Sequence, residues 1–275
     1  MKTFVVGDTH LVQSEICPII DENIEKYSPD RIVFTGDYTD QFGADDNRYR
    51  NEINYFKDRV YKWRLGGLVV DLVMGNHDFY YFSGKKMHFS AAPDDVIEVL
   101  KNDLRPVMAT KVGKFVVSHA GLTKSWLKHN FGDTSKSSTK VMVNKLNRKF
   151  DNLLKEDSLH DEDYMKHILW QTDWHTHGFN SIGRARGGHG LPSCLWADLS
   201  ELIQDYPIGA KYSQIVGHTP IREIGRYITG ESEVYFIDTF SIDSNNNKYG
   251  DGSFLLVNEV NSSVEIIKTN WSETN

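Results

Sequence analysis

The chain has 275 residues, enough for one large domain or two small ones, and its 39% hydrophobic and 25% charged content is that of an ordinary soluble globular protein. No run approaches the roughly 18 consecutive apolar residues of a membrane helix, so a helical integral membrane protein is excluded. With 31 Lys and Arg against 38 Asp and Glu, the net charge of −7 has the wrong sign for wrapping a phosphate backbone, and extended nucleic-acid binding is not expected.

In chain order, the first element is the apolar run TFVV (3–6), a strand that delivers Asp8 and His10. It is too short for the h-region of a secretory signal, so a cytoplasmic setting is the expectation. Ile16, Ile19, Ile20 and Ile24 recur at helical spacing up to Pro29, with Pro18 expected in the first turn. RIVF (31–34) is a second strand, and Ile53, Phe56, Val60 and Trp63 mark an amphipathic helix closing near Gly66 and Gly67. LVVDLV (68–73) is a third strand. The βαβαβ order predicts parallel pairing with right-handed crossovers. Pro93 and two aspartates open a short helix carrying Val96, Ile97 and Leu100, and KFVV (114–117) is a fourth strand.

The segment from about 122 to 202 is polar, helix-leaning from Ser137 to about Gln171 and glycine-rich afterwards. It reads as an insertion over one edge of the site within a single domain spanning 1–275. SQIV (213–216), EVYFIDTF (233–240), GSFLLVNEV (252–260) and NSSVEIIK (261–268) read as further strands. Near-continuous apolar runs fit strands covered on both faces, which gives an α/β fold class. Cys17 and Cys194 lie outside any CxxC pattern and read as buried structural thiols.

In open α/β sheets, ligands bind outside the carboxyl ends of the strands. The side chains just after the runs are Asp8, His10, Asp37, Asp40, Asn76, His77, Asp78, His119 and His218. Adjacent carboxylates repel one another, and divalent cations relieve that repulsion. Oxygen and nitrogen donors without a thiolate suit Mn, Fe, Zn or Mg, and the number of groups suits two ions sharing a carboxylate.

The blocks GDTH (7–10), GDYTD (36–40), GNHD (75–78), SHAG (118–121) and GHTP (217–220) resemble, in order, those of the calcineurin-like metallophosphoesterases, particularly the phosphoprotein phosphatase branch. They span roughly four fifths of the chain. The resemblance implies a layered β-sheet sandwich flanked by helices, with a dinuclear metal site at the strand C-terminal ends. It implies that Asp8, His10 and Asp37 hold the first ion, that Asp37 bridges, and that Asn76, His119 and His218 complete the second. His77 would be the general acid and Asp40 its orienting partner, with hydroxide bridging the metals as nucleophile. Two divalent ions are implied, manganese first, with Fe, Zn or Mg as alternatives.

The departures from that pattern concern phosphate binding. The arginine that usually follows the second block is replaced by Gln41, with Arg48 and Arg50 as substitutes or as surface residues, and Leu11 stands where the first block usually has glycine. Within LWQTDW and SIGRARGGHG, Arg186 and then Arg184 are candidate phosphate ligands, or incidental residues of a surface loop. His175 and His177 have the look of a metal pair but read as solvated loop residues, His189 beside the arginines is a weaker phosphate-binding candidate, and Asp238 is either a partner of a ligand histidine or a turn cap. The expected activity is a phosphomonoesterase of the serine/threonine protein phosphatase kind, acting on a phosphoprotein or small phosphoester. A symmetrical diadenosine tetraphosphate hydrolase, a phosphodiesterase or a 2′,3′ nucleotide phosphatase is the alternative. A non-catalytic binding module is disfavoured, because His77 and all six candidate ligands are present.

Overall fold

β1 (Lys2–Val6), β2 (Arg31–Phe34) and β3 (Val69–Leu72) pair in parallel, joined by α1 (Gln13–Tyr27) and α2 (Asp46–Leu65). These elements belong to a computed structural model that describes residues 1–82, 92–157, 178–243, 245 and 247–271. α3 (Asn76–Phe82) follows β3, and α4 (Asp94–Glu98) runs into a wider helical turn over Val99–Leu104.

β4 (Thr110–Val112) and β5 (Phe115–Val117) begin a second sheet. After α5 (Lys124–Phe131), α6 (Thr139–Asp157) and α7 (Leu199–Gln204) come β6 (Ser213–Val216), β7 (Gly225–Thr229) and β8 (Ser232–Phe236), which complete it. β9 (Phe254–Asn258) and β10 (Ser263–Ile267) return to the first sheet. The two five-stranded sheets have the orders β10-β9-β1-β2-β3 and β4-β5-β6-β8-β7. β5, β6 and β8 are parallel, while β9 runs antiparallel to β1.

The apolar runs of β1, β2 and β9 are continuous because these strands are covered on both faces. Val5, Val33, Leu255 and Val257 face Phe115, Val117, Ile215 and Tyr235 of the second sheet. Phe4, Val6, Ile32 and Phe34 face the opposite way, into a cluster with Ile16, Ile20, Ile53 and Phe56. Each such fully buried side chain contributes about 1.5–3 kcal/mol relative to exposure, so strand ends anchored in these layers are stiff supports for the loops that follow.

Helix ends follow local chemistry. The Asp45 carboxylate accepts from Arg48 N at the start of α2, and Asp198 with Glu201 forms a capping box on α7. Pro18 departs from expectation. It lies inside α1 beyond the first turn, where its missing N–H leaves a carbonyl one turn earlier without its helical bond.

The 122–202 segment is less peripheral than its polarity suggests. Trp126, Leu127, Met142, Leu146 and Phe150 form a second core with Val116 and Phe79. Of the helix expected from Ser137 to Gln171, α6 covers Thr139–Asp157, and residues 158–171 lie outside the described ones. Cys17 and Cys194 are buried free thiols. Among the described residues no helix is long and apolar enough to cross a membrane.

Candidate active site

Five strands end at one place. β1 delivers Asp8 and His10, β2 delivers Asp37 and Asp40, β3 leads into Asn76 and His77 at the start of α3, β5 delivers His119, and β6 delivers His218. Four of these residues hold left-handed backbone: His10 (φ 33°), Asp37 (φ 50°), Asp40 (φ 67°) and His218 (φ 66°). Each costs on the order of 1–3 kcal/mol unless the surroundings enforce it, and such costs concentrate at functional sites.

The donors fall into two groups that share Asp37. Asp8, His10 and Asp37 form one, and Asp37, His119 and His218 form the other, with the ligand atoms of each within 4.8 Å of one another. Asn76 joins the second group. Its Oδ1 is 2.8 Å from His119 Nε2 and 3.0 Å from His218 Nδ1, which are themselves 3.0 Å apart.

The surrounding hydrogen bonds decide which atoms face inward. His119 Nδ1 donates to the Thr35 carbonyl at 2.9 Å, and His10 Nδ1 donates to the Asp40 carbonyl at 2.8 Å. In each neutral ring the lone pair is then on Nε2, and both Nε2 atoms lie 3.4 Å from Asp37 Oδ2. Asp8 is fixed by Thr35 Oγ1 at 2.7 Å and by His218 N at 2.7 Å, and Asp37 Oδ1 by His77 N at 3.0 Å.

Gly75 and Gly217 make room for these carboxylates, since a Cβ on either would overlap Asp37 Oδ1 or Asp8 Oδ1. His218 presents Nδ1 to the second group, and its Nε2 is buried without a partner. Lone pairs that converge in a dry pocket fit a pair of divalent cations and little else. The charge balance agrees. Burial disfavours a charged His119, yet Asp37 and Asp8 draw its pKa up to about 10, so this cluster demands positive charge, as proton or as metal. Burial likewise opposes ionisation of Asp37, but the His119 and His77 imidazoles hold it well below the usual carboxylate range.

His77 stands at the edge of the array. Its Nδ1 is 3.1 Å from Asp40 Oδ2, and the other carboxylate oxygen of Asp40 accepts from Tyr49 Oη at 2.7 Å and from Tyr81 Oη. Burial lowers the pKa of His77, but Asp37 and Asp40 outweigh it and push it up to about 9, so the ring carries its proton at neutral pH. Neither tyrosine is singled out by the sequence reading. Tyr49 sits on an amphipathic helix and Tyr81 on the short, largely buried α3, where an aromatic residue reads as core.

The phosphate-binding candidates separate. Arg186 reaches the site, donating to Thr219 Oγ1 at 3.0 Å beside His218, with its Nε 3.3 Å from Asp198. Arg184 is exposed and, among the described residues, its side chain makes no hydrogen bond or ion pair, only its carbonyl accepting from Gly187 N at 3.0 Å. Gln41 reaches toward the Asp243 carbonyl at 3.4 Å. Arg50 pairs with Asp95 at the surface, whereas Arg48 is half-buried and donates Nε and Nη2 to the Leu11 carbonyl, both at 3.2 Å.

Asp78 has a structural role, accepting from Gly75 N, Tyr38 N and Thr39 Oγ1 and so clamping the second block to the third. Asp238 accepts from Ser241 Oγ at 2.7 Å, a local turn contact rather than a bond to a ligand histidine. His189 is exposed, and His175, His177 and LWQTDW lie outside the described residues.

Thr35 is the buried support that touches both groups, through Asp8 and through His119. Thr35→Val keeps its shape and its carbonyl but removes the hydroxyl. Metal affinity is expected to fall about 10–100-fold, the usual cost of losing a ligand's hydrogen-bond partner, as measured by competition with a chromogenic chelator. Unchanged affinity would show that Asp8 needs no such support.

A model of the calcineurin-like phosphoesterase family matches residues 1–222. A cold-active protein-tyrosine phosphatase of a psychrophilic Shewanella species is similar in structure, with 16% identity and a TM-score of 0.52, over 97% of this chain and 80% of that one. A second structure titled cold-active protein tyrosine phosphatase has 15% identity and a TM-score of 0.54, over 98% and 79% of the two chains. At these identities the likeness concerns the fold. No curated protein sequence matches.

Proposed function

The chain belongs to the calcineurin-like phosphoesterase family and is thus a hydrolase of phosphoric esters, and from that premise we propose that it is a two-metal phosphomonoesterase acting on phosphorylated protein side chains. The observation that carries this reading is His77, held on Asp40 beside an array of inward-facing donors centred on Asp37.

Asp8, His10, Asp37, Asn76, His119 and His218 would hold two divalent ions, manganese in this proposal, which would supply Lewis acidity toward phosphoryl oxygens and lower the pKa of water to roughly 7. The protein does the rest. Tyr49 and Tyr81 occupy one oxygen of Asp40, so the other belongs to His77. That contact commits Nδ1 and assigns proton delivery to Nε2, where the leaving alkoxide needs it. Arg186, tethered beside His218, offers its planar guanidinium to the phosphate oxygens. Gln41 carries no charge, so Arg186 takes over the grip that an arginine at position 41 would have shared. The single-domain organisation with an insertion at about 122–202 is part of the same proposal.

The test uses one preparation. Chelator-stripped protein is expected to lose p-nitrophenyl phosphate hydrolysis and to regain it with Mn²⁺. The Mn²⁺-loaded enzyme is expected to turn over a phosphoserine or phosphotyrosine peptide with higher kcat/KM than diadenosine tetraphosphate or a bis-aryl phosphodiester. Full activity after verified metal removal would remove the two-metal centre. Preference for the tetraphosphate or the diester would remove the monoesterase assignment.

A further inference from the structure

A groove of about 730 Å³ lies between α5 and α6, on residues that play no part in the Asp37-centred site. Its cations are Lys145, Arg148 and Lys149, and amides come from Asn144 and Asn152. Lys149 Nζ lies 5.8 Å from the Phe131 ring, and among the described residues none of the three cations is paired with a carboxylate. Along α5 and α6 as far as Lys155 the sequence is equally one-sided, the acidic run of Glu156, Asp157, Asp161, Glu162 and Asp163 following only after it. Asp133 and Asp151 are the only acidic residues between Lys124 and Lys155, and lysines and arginines outnumber them, in a chain whose net charge is −7.

Such a patch costs stability through self-repulsion, and among the described residues no carboxylate is paired with it. We propose that this groove docks an acidic, extended segment of a partner protein, independently of which ester the active site cleaves. Spacing favours a peptide. Lys145, Arg148 with Lys149, and Asn152 recur one helical turn apart along one face of α6, a repeat of about 5–6 Å. Alternate side chains of an extended peptide repeat at about 6.6–6.8 Å, close enough for carboxylates to meet successive turns. Asn144 and Asn152 each offer a donor and an acceptor, the complement of a peptide group. A polyphosphate backbone would use cations in place of these amides and would meet the repulsion of the chain's overall charge.

The opposite face of α6 places Phe150 against Phe79 of α3, with ring centroids 6.0 Å apart. α3 is the helix that carries Asn76 and His77. A docked segment therefore lies one helix layer behind the active-site loop.

The test is fluorescence anisotropy with the Mn²⁺-loaded full chain and a fluorescein-labelled decapeptide of alternating Glu and Ser. Saturable binding is expected, weakening as salt is raised, and at least tenfold weaker in the K145E/R148E/K149E variant. p-Nitrophenyl phosphate turnover and the circular dichroism spectrum of that variant are expected to be unchanged, since the substituted side chains are surface residues outside the site. The single substitution R148E, at an exposed position, should show a smaller loss of the same sign. Equal binding by wild type and triple variant, or none by wild type, overturns the proposal. So does tighter binding, through the same three residues, of a single-stranded oligonucleotide or of phosphatidylserine vesicles.

Discussion

His77→Ala is expected to lower kcat on an alkyl phosphate or phosphoserine peptide by about 10²–10⁴-fold, the range of a lost general acid, while the protein keeps its metal content. The loss should shrink on p-nitrophenyl phosphate, whose leaving group departs without a proton. That contrast separates proton delivery from a structural role. His77 touches the array through its backbone N–H to Asp37 Oδ1, which alanine retains, and through Nδ1 to Asp40. The pH profile adds a second readout. Asp37 and Asp40 raise the pKa of the ring against burial, so it holds its proton at neutral pH and loses it as pH rises through that raised pKa. Wild type should therefore show an alkaline limb with the alkyl substrate that the variant lacks. Equal kcat on the alkyl phosphate would take His77 out of the reaction.

What the sequence discloses of this site follows from where the chemistry sits. Ligands that emerge directly behind apolar strands are legible, because the run and the polar residue are adjacent in the chain, as in VVGDTH (5–10) and SQIVGHTP (213–220). The layered sheets are legible for the same reason, as β1 and β2 are apolar on both faces. Supports that arrive from elsewhere are not. Tyr49 and Tyr81 meet on Asp40 only because α2 and α3 pack on either side of that loop, and nothing local distinguishes them from core aromatics. Arg186 is visible as a basic residue in a glycine-rich loop, but only folding places its guanidinium against Thr219, while the side chain of Arg184, two positions earlier, makes no such contact among the described residues. β4 has three residues, and β7 is an edge strand half in solvent, so neither carries a hydrophobic run long enough to register.

Asp37→Ala should have the wider effect, since it removes the one carboxylate common to both donor groups. Each ion then loses an anionic ligand, and His10 and His119 lose the oxygen that both Nε2 atoms face at 3.4 Å. Bound metal, read by elemental analysis after dialysis against trace Mn²⁺, is expected to fall from about two ions per chain to below one. Turnover should fall further than in His77→Ala, and on p-nitrophenyl phosphate as severely as on the alkyl substrate, because the loss precedes any question of leaving group. Gly75→Ala supplies an independent route to the same state. It leaves every ligand in the sequence, but its Cβ would displace the Asp37 carboxylate, so metal content should drop there too, with circular dichroism reporting whether the fold persists. Retention of both ions by a folded Asp37→Ala protein would show that Asp37 does not bridge, and would leave the convergence of the two donor groups on its Oδ2 unexplained.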